Sequence, residues 1–227
     1  MKTILSFLFL ALASGAYAVE GLPAFDFIGF AQLRPRSSAK DAIRAVVDGY
    51  AGESARRYGT PIQLVFDDAD IAQATGGIVR GGIPEITIYA GLIKGMTAEE
   101  AVAAACHEIG HVLGRVAFES LPDQRPASSD SNKDSVEGEA DYFSGRCVYD
   151  HLRRAFDAPE AEAAALAADI VTRTLEKIYG TKIDYRTAEG EIFPGIDPSY
   201  PDKECRLLSA ISGVGLRQRP KCWYNPR

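Results

Sequence analysis

The stretch TAEEAVAAACHEIGH, residues 97–111, decides how this chain is interpreted, because it is strongly helical and ends in an H-E-x-x-H pattern. Residues four apart lie on nearly the same face of an α-helix, so His107 and His111 can hold one metal ion together. Glu108 lies beside the ligand line, where it can act as a general base on a zinc-activated water. The pattern therefore predicts a catalytic zinc site on a helix.

A second acidic motif, EGEAD at residues 137–141, supplies the missing ligand. Catalytic zinc commonly takes two histidines and one carboxylate and leaves a fourth position to water. Glu137 is predicted to be that carboxylate. Asp141, one helical turn later, can accept the free ring N–H of a liganding histidine. Glu139 faces the other side of the helix and is not expected to bind metal.

The first residues have the pattern of an export signal. Lys2 precedes an apolar stretch from Ile4 to Ala13, and residues 16–18, AYA, form an A-x-A-type cleavage site. We expect residues 1–18 to be a signal peptide and the mature protein to be exported, periplasmic or extracellular. No other apolar run is long enough for a membrane span.

Net charge and chain length limit the kinds of partner and the number of domains that this protein can have. The net charge is −6 without a basic patch, so nucleic acid and anionic membrane surfaces are poor candidate partners. Residues 19–227 are expected to form a single domain. Its core is predicted at 37–180, followed by a C-terminal cysteine-containing segment at 181–227.

The chain has an even number of cysteines, which in an exported protein indicates disulfide bonds: Cys106, Cys147, Cys205 and Cys222. Four cysteines allow three pairings. Cys205 and Cys222 share the C-terminal segment and could close a short loop, whereas Cys106 and Cys147 lie in or beside the presumed site helices. The sequence leaves the pairing open.

Hydrophobic periodicity predicts both strands and helices, as in an α+β fold. Strands are predicted at Ile62–Phe66 and Ile83–Ala90. The second is expected to be an edge strand, because Pro84 cannot donate to an internal ladder. Thr97 and Glu100 form a capping box that opens the motif helix, which is expected to end near Gly114. Further helices are predicted at Lys40–Tyr58, Ser135–Phe156, Glu160–Tyr179 and Glu204–Ile211.

The order of these parts resembles the minigluzincin core of the gluzincin metallopeptidases. This resemblance implies an α+β fold in which a small antiparallel-edged sheet packs on the active-site helix and the helices that follow. Within them the chain is most similar to the HtpX-type and CAAX prenyl endopeptidase family and its soluble, secreted bacterial relatives. The matching text covers residues 83–145 and comprises ITIYAGLI (86–93), MTAEE (96–100), ACHEIGHVLG (105–114) and EGEAD (137–141).

The resemblance implies zinc ligands at His107, His111 and Glu137, with one Zn²⁺ per chain. It also implies a general base at Glu108 and a supporting carboxylate at Asp141.

The family usually continues with a His-Pro step and an arginine six residues after that histidine. In this chain Tyr200-Pro201 stands at the position of the His-Pro step, and Arg206 keeps the six-residue distance. The absent histidine puts the oxyanion role in question, and a phenol at Tyr200 is a possible substitute donor. The resemblance implies that Arg206 organises the site, and Arg206 is, beside Tyr200, the second candidate catalytic residue to hold the developing oxyanion.

The sequence therefore predicts a secreted zinc metalloendopeptidase acting on a protein or peptide. The strand Ile83–Ala90 would pair with the extended substrate. Two alternatives stay open: a non-catalytic secreted protein with a structural zinc on the same fold, and an amidase acting on cell-wall peptide. Retention of Glu108 argues against a structural site, which needs only ligands.

Overall fold

The computed structural model describes residues 38–119, 137–157, 159–188 and 202–217, together with 220 and 222. These residues belong to one compact unit that extends from residue 37 onward. The predicted signal peptide and Tyr200 lie outside the described residues. The elements in chain order are α1 (Ala39–Gly49), α2 (Ala51–Tyr58), β1 (Gln63–Asp67), β2 (Ala74–Val79), β3 (Ile83–Tyr89), α3 (Ala90–Ile93), α4 (Ala98–Glu119), α5 (Glu137–Phe156), α6 (Glu160–Tyr179), a 3₁₀ turn (Tyr185–Ala188) and α7 (Lys203–Val214).

The fold is a mixed α+β arrangement, mostly helical, with a three-stranded sheet in the order β1-β3-β2. Strand β1 runs parallel to β3, whereas β2 runs antiparallel to it. The prediction that Ile83–Ala90 is an edge strand is therefore wrong, because β3 is the central strand. Pro84 lies opposite Ile78 of β2 near the start of β3, and pairing with β1 begins only at the next residue, Glu85.

Strand β2 was not predicted, because Gly76 and Gly77 weaken a strand signal. The structure gives Gly76 a packing role. A Cβ atom at this position would lie 2.4 Å from the carbonyl oxygen of Glu108, so only glycine lets β2 approach α4 this closely. Gly81 and Gly82, both at positive φ, form the turn that leads from β2 into β3.

The predicted helix Lys40–Tyr58 is two helices. Tyr50 separates them with φ −105° and ψ 3°, and it serves as C-cap of α1 and N-cap of α2. Helix α1 keeps the predicted apolar face, since Ile43, Val46 and Val47 are buried.

The capping box of α4 is confirmed. The backbone N–H of Thr97 donates to the Glu100 carboxylate at 2.9 Å, and the N–H of Glu100 donates to the Thr97 hydroxyl oxygen at 3.2 Å. The predicted end near Gly114 is wrong, because the helix continues to Glu119. An isolated glycine lowers helix propensity by about 1 kcal/mol relative to alanine, which is too little to end a well-packed helix.

Helix α5 lies against both α4 and α7 through small residues. A Cβ at Gly110 of α4 would lie 2.6 Å from the Cα of Ala140. A Cβ at Gly145 of α5 would lie 1.8 Å from the carbonyl oxygen of Ala210. These glycines allow backbone-to-backbone contact, so side chains on three helices reach a common point.

The disulfides are Cys106–Cys147 and Cys205–Cys222. The first joins α4 to α5, one residue before His107. The second joins the first turn of α7 to the C-terminal segment, next to Arg206. Each bond therefore fixes an element that carries a candidate site residue. None of the described helices is long and apolar enough to cross a membrane.

Candidate metal centre

Donor atoms of three residues on two helices lie close together. His107 Nε2 lies 3.1 Å from His111 Nε2, and 3.2 Å from Glu137 Oε2. His111 Nε2 lies 3.4 Å from Glu137 Oε1. Ligand atoms at about 2.05 Å from a tetrahedral ion are separated by about 3.3 Å from one another. The spacing therefore fits a metal ion bound by His107, His111 and Glu137.

Asp141 sets the orientation of the His107 ring by contacting the ring nitrogen that does not face the other donors. His107 Nδ1 lies 2.9 Å from Asp141 Oδ1, and the Asp141 side chain is almost completely buried. A carboxylate at this distance keeps the proton on Nδ1, which leaves Nε2 as the lone-pair donor to a metal. Asp141 thus lies where the E-x-x-x-D spacing predicted.

Arg206 of α7 anchors both acidic residues of α5. Its Nε lies 2.7 Å from Asp141 Oδ2 and its Nη2 lies 3.0 Å from Asp141 Oδ1. The ion pair between Arg206 and Asp141 is therefore bidentate. The same Nη2 lies 2.9 Å from Glu137 Oε2. Nη1 donates to the hydroxyl oxygen of Tyr179 at 3.2 Å. Arg206 is therefore a positioning residue that holds the carboxylates in place.

The charges of this cluster stabilise one another. Burial alone would lower the pKa of His107, but the charge and hydrogen bond of Asp141, together with Glu137, raise that pKa to about 10. Burial would raise the pKa of Asp141, but the nearby Arg206 and His107 hold it below its usual value. Hydrogen bonds from His107 and His111 likewise outweigh burial at Glu137 and lower its pKa. Without metal, the site is thus an ion-paired network with a protonated His107.

Glu108 shares the cleft with these donors but is not one of the three that meet. Its side chain is buried, and burial raises its pKa above the usual carboxylate value despite the nearby His107. A raised pKa makes a carboxylate a better proton acceptor. This is the environment that a general base requires.

The three donor residues line a cleft of about 490 Å³. Glu108, Asp141 and Arg206 line the same cleft. Residues 72–76, which include the start of β2, form one side. Leu92, helix α6 and the first half of α4 contribute apolar groups. The cleft is therefore lined both by the metal donors and by residues of α6.

Of the residues singled out in the sequence, the structure brings six to this cleft: His107, Glu108, His111, Glu137, Asp141 and Arg206. Glu139 is buried and is not among the three donors that meet. Tyr200 lies outside the described residues, and its role stays a prediction. Two features were missed. Tyr179 gave no signal in the sequence, whereas the Gly76-Gly77 pair could have indicated a close backbone contact.

No protein-family model matches this chain, and no curated protein or solved structure matches it either.

Proposed function

We propose that the protein is an exported zinc-dependent endopeptidase with a minigluzincin-like site. One observation carries the proposal. His107, His111 and Glu137 are spaced for a single tetrahedral ion, while a further buried carboxylate, Glu108, shares their cleft without being a ligand. A structural site would have used that carboxylate, or another protein group, as a fourth ligand.

Two imidazole nitrogens and one carboxylate oxygen are a donor set typical of catalytic zinc. When bound, zinc supplies Lewis acidity, which polarises a carbonyl oxygen and lowers the pKa of water to about 7. The chain itself prepares this chemistry. Asp141 fixes the His107 tautomer, and Arg206 fixes the positions of the Glu137 and Asp141 carboxylates.

Glu108 would move the proton. It takes a proton from the attacking water and then passes it to the nitrogen of the leaving amine, so the carboxylate is unchanged after each turnover. Its raised pKa supports both transfers, because the group can accept the proton and release it again.

The substrate strand is assigned to β2 instead of β3. Strand β2 pairs with β3 along one side, and Ala74, Thr75 and Gly76 line the cleft. In the described part of the chain no strand pairs with its other side. An extended peptide can pair with the part of β2 that lines the cleft, residues 74–76, through main-chain hydrogen bonds, which are largely indifferent to side chains.

Two disulfides support export to an oxidising compartment. Both disulfide bonds would be unusual in a reducing cytosol. The predicted signal peptide at residues 1–18 agrees with this proposal.

The test is metal-dependent hydrolysis by the purified mature protein. We expect cleavage of casein to stop after removal of zinc by a chelator and to return when about one equivalent of zinc is added. Activity on peptidoglycan with none on casein would favour the cell-wall amidase. One tightly held zinc with no activity on either substrate would favour a structural site.

A further inference from the structure

The guanidinium group of Arg206 links the metal donors to Tyr179 of α6. Its Nη2 lies 2.9 Å from Glu137 Oε2 and 3.4 Å from His107 Nε2, and both residues belong to the donor set. Its Nη1 donates to the hydroxyl oxygen of Tyr179 at 3.2 Å. Because the guanidinium is planar and its nitrogens keep fixed relative positions, a contact that holds Nη1 also sets how closely Nη2 approaches the donors.

The distance between Arg206 Nη2 and these two donors affects metal binding in both directions. Nη2 and a metal ion compete for the same lone pairs on Glu137 and His107, so a closer guanidinium weakens the hold of these residues on the ion. A guanidinium that moves away releases the Glu137 carboxylate, which then loses its fixed orientation. Metal affinity therefore depends on where Arg206 is held.

The Tyr179 oxygen opposes a shift of Arg206 toward the donors. The Arg206 side chain is only 9% exposed, so its N–H groups depend on protein acceptors more than on water. Without the Tyr179 oxygen, Nη1 loses an acceptor, and the guanidinium would turn toward other oxygens within reach, the carboxylates of Glu137 and Asp141.

Tyr179 itself has a fixed position at the end of α6. It is the last residue of the helix, which Gly180 ends at φ 65°. Two residues earlier, the Lys177 ammonium donates to the carbonyl oxygen of Gly95 at 2.9 Å and pairs with the buried Glu100 carboxylate. The last turn of α6 is thus tied to the segment that begins α4, the helix that carries the two histidines.

We propose that Tyr179 is a positioning residue of the metal centre, whose hydroxyl oxygen holds Arg206 at the separation from Glu137 and His107 that metal binding requires. It acts through Arg206 and is not itself a metal ligand. The inference rests on the metal site of the proposed function, and it adds a residue that neither the H-E-x-x-H nor the E-x-x-x-D motif contains.

The first test compares the zinc affinity of Tyr179→Phe with that of the wild type, by competition against a chromogenic chelator. Phenylalanine keeps the ring and removes only the oxygen that accepts from Arg206 Nη1. We expect an affinity about tenfold lower, at the small end of the effects typical of groups that support metal ligands. The visible absorption bands of the Co²⁺-loaded variant should also differ from those of the wild type, because they report the arrangement of ligand atoms around the metal.

Tyr58→Phe is the matched control. The Tyr58 hydroxyl donates to the carbonyl oxygen of Val112 at 2.6 Å, so this variant also loses a phenol hydrogen bond between two helices. That bond does not involve Arg206, and we expect zinc affinity within about twofold of the wild type. The two metal-free variants should unfold at similar urea concentrations, so that a difference in zinc affinity is not a difference in folding.

The second test is a double-mutant cycle with Arg206→Lys. A lysine ammonium cannot reproduce the planar fork that contacts Asp141, Glu137 and Tyr179 together. Adding Tyr179→Phe to Arg206→Lys should therefore lower zinc affinity by no more than about twofold further. A Tyr179 that serves only to stabilise the fold would have the same effect in both backgrounds.

Two results would overturn the inference and leave the proposed hydrolysis standing. One is a zinc affinity of Tyr179→Phe equal to that of Tyr58→Phe, with a wild-type Co²⁺ spectrum. The other is a tenfold loss that persists in Arg206→Lys. A wild-type protein that binds zinc but cleaves no peptide would instead remove the endopeptidase and leave the role of Tyr179 standing, since both tests measure metal binding. A wild-type protein that binds no zinc would overturn the two together.

Discussion

A histidine pair one helical turn apart and a carboxylate from the next helix account for the three donors. Their spacing within each helix follows from the helical period, which is a local property. For this reason His107, His111, Glu137 and Asp141 could be singled out from the sequence alone. Arg206 had no local signal, and only the resemblance pointed to it.

Tyr179 shows the limit of such reasoning at the scale of residues. It is an ordinary aromatic at the end of a predicted helix, and only the fold brings its hydroxyl oxygen within 3.2 Å of Arg206 Nη1. Contacts between distant segments depend on how the helices pack, which periodicity does not specify.

The ligand assignment predicts different outcomes for two acids two residues apart. Glu137→Gln removes an anionic donor and should weaken zinc binding by about 100-fold or more, because the variant also loses its pair with Arg206. Glu139→Gln is the matched control and should bind zinc with nearly unchanged affinity. Competition titrations against a chromogenic chelator measure both. Full affinity in Glu137→Gln together with a large loss in Glu139→Gln would refute the assignment.

Zinc binding should release protons. The pKa of His107 is raised to about 10 in the metal-free protein, so this ring is charged at neutral pH and must lose its proton to bind metal. Apparent affinity should therefore rise by up to about tenfold per pH unit between pH 7 and 9, from this group alone. Titration in weak buffer should show about one proton released from His107 per zinc. Binding that is independent of pH in this range would show that His107 is neutral before metal arrives.

At the scale of elements, close helix packing brings the ligands together. Glu137 and Asp141 lie on α5, the histidines on α4 and Arg206 on α7, and glycines let these three helices touch. The sequence predicted most of the helices but not their contacts. It also assigned the wrong strand to the sheet edge, because a proline signal does not reveal which strands are neighbours.

Gly145→Ala tests this packing. The added Cβ would lie 1.8 Å from the carbonyl oxygen of Ala210, which forces α5 and α7 apart. We expect a loss of about 3 kcal/mol in the free energy of unfolding, together with weaker zinc binding. The measurement is urea unfolding of the metal-free protein, followed by zinc titration.

Gly52→Ala in α2 is the matched control. Its Cβ would meet only the end of the flexible Arg56 side chain, at 4.0 Å. We expect it to gain about 0.5–1 kcal/mol, since alanine favours the helix. Equal effects of the two substitutions would show that the α5–α7 contact has no special role.

At the scale of the whole molecule, two disulfide bonds between residues distant in the sequence fix the helices that carry the site. Cys106–Cys147 ties the two ligand helices together, and Cys205–Cys222 anchors the start of α7 beside Arg206. The even cysteine count predicted disulfides but left three pairings open. Only the folded arrangement brings each pair within bonding distance, with Cα atoms 5.7 and 6.0 Å apart.

The central claim is that a zinc site with a dedicated proton-transfer carboxylate hydrolyses peptide bonds. The most direct measurement compares zinc content and peptide turnover in the wild type and in Glu108→Gln. The variant should keep about one zinc per chain, because Glu108 is not among the converging donors. Its kcat should fall by about 100- to 10,000-fold, since the proton acceptor is lost. A Glu108→Gln protein that keeps its zinc and turns over at the wild-type rate would contradict the account.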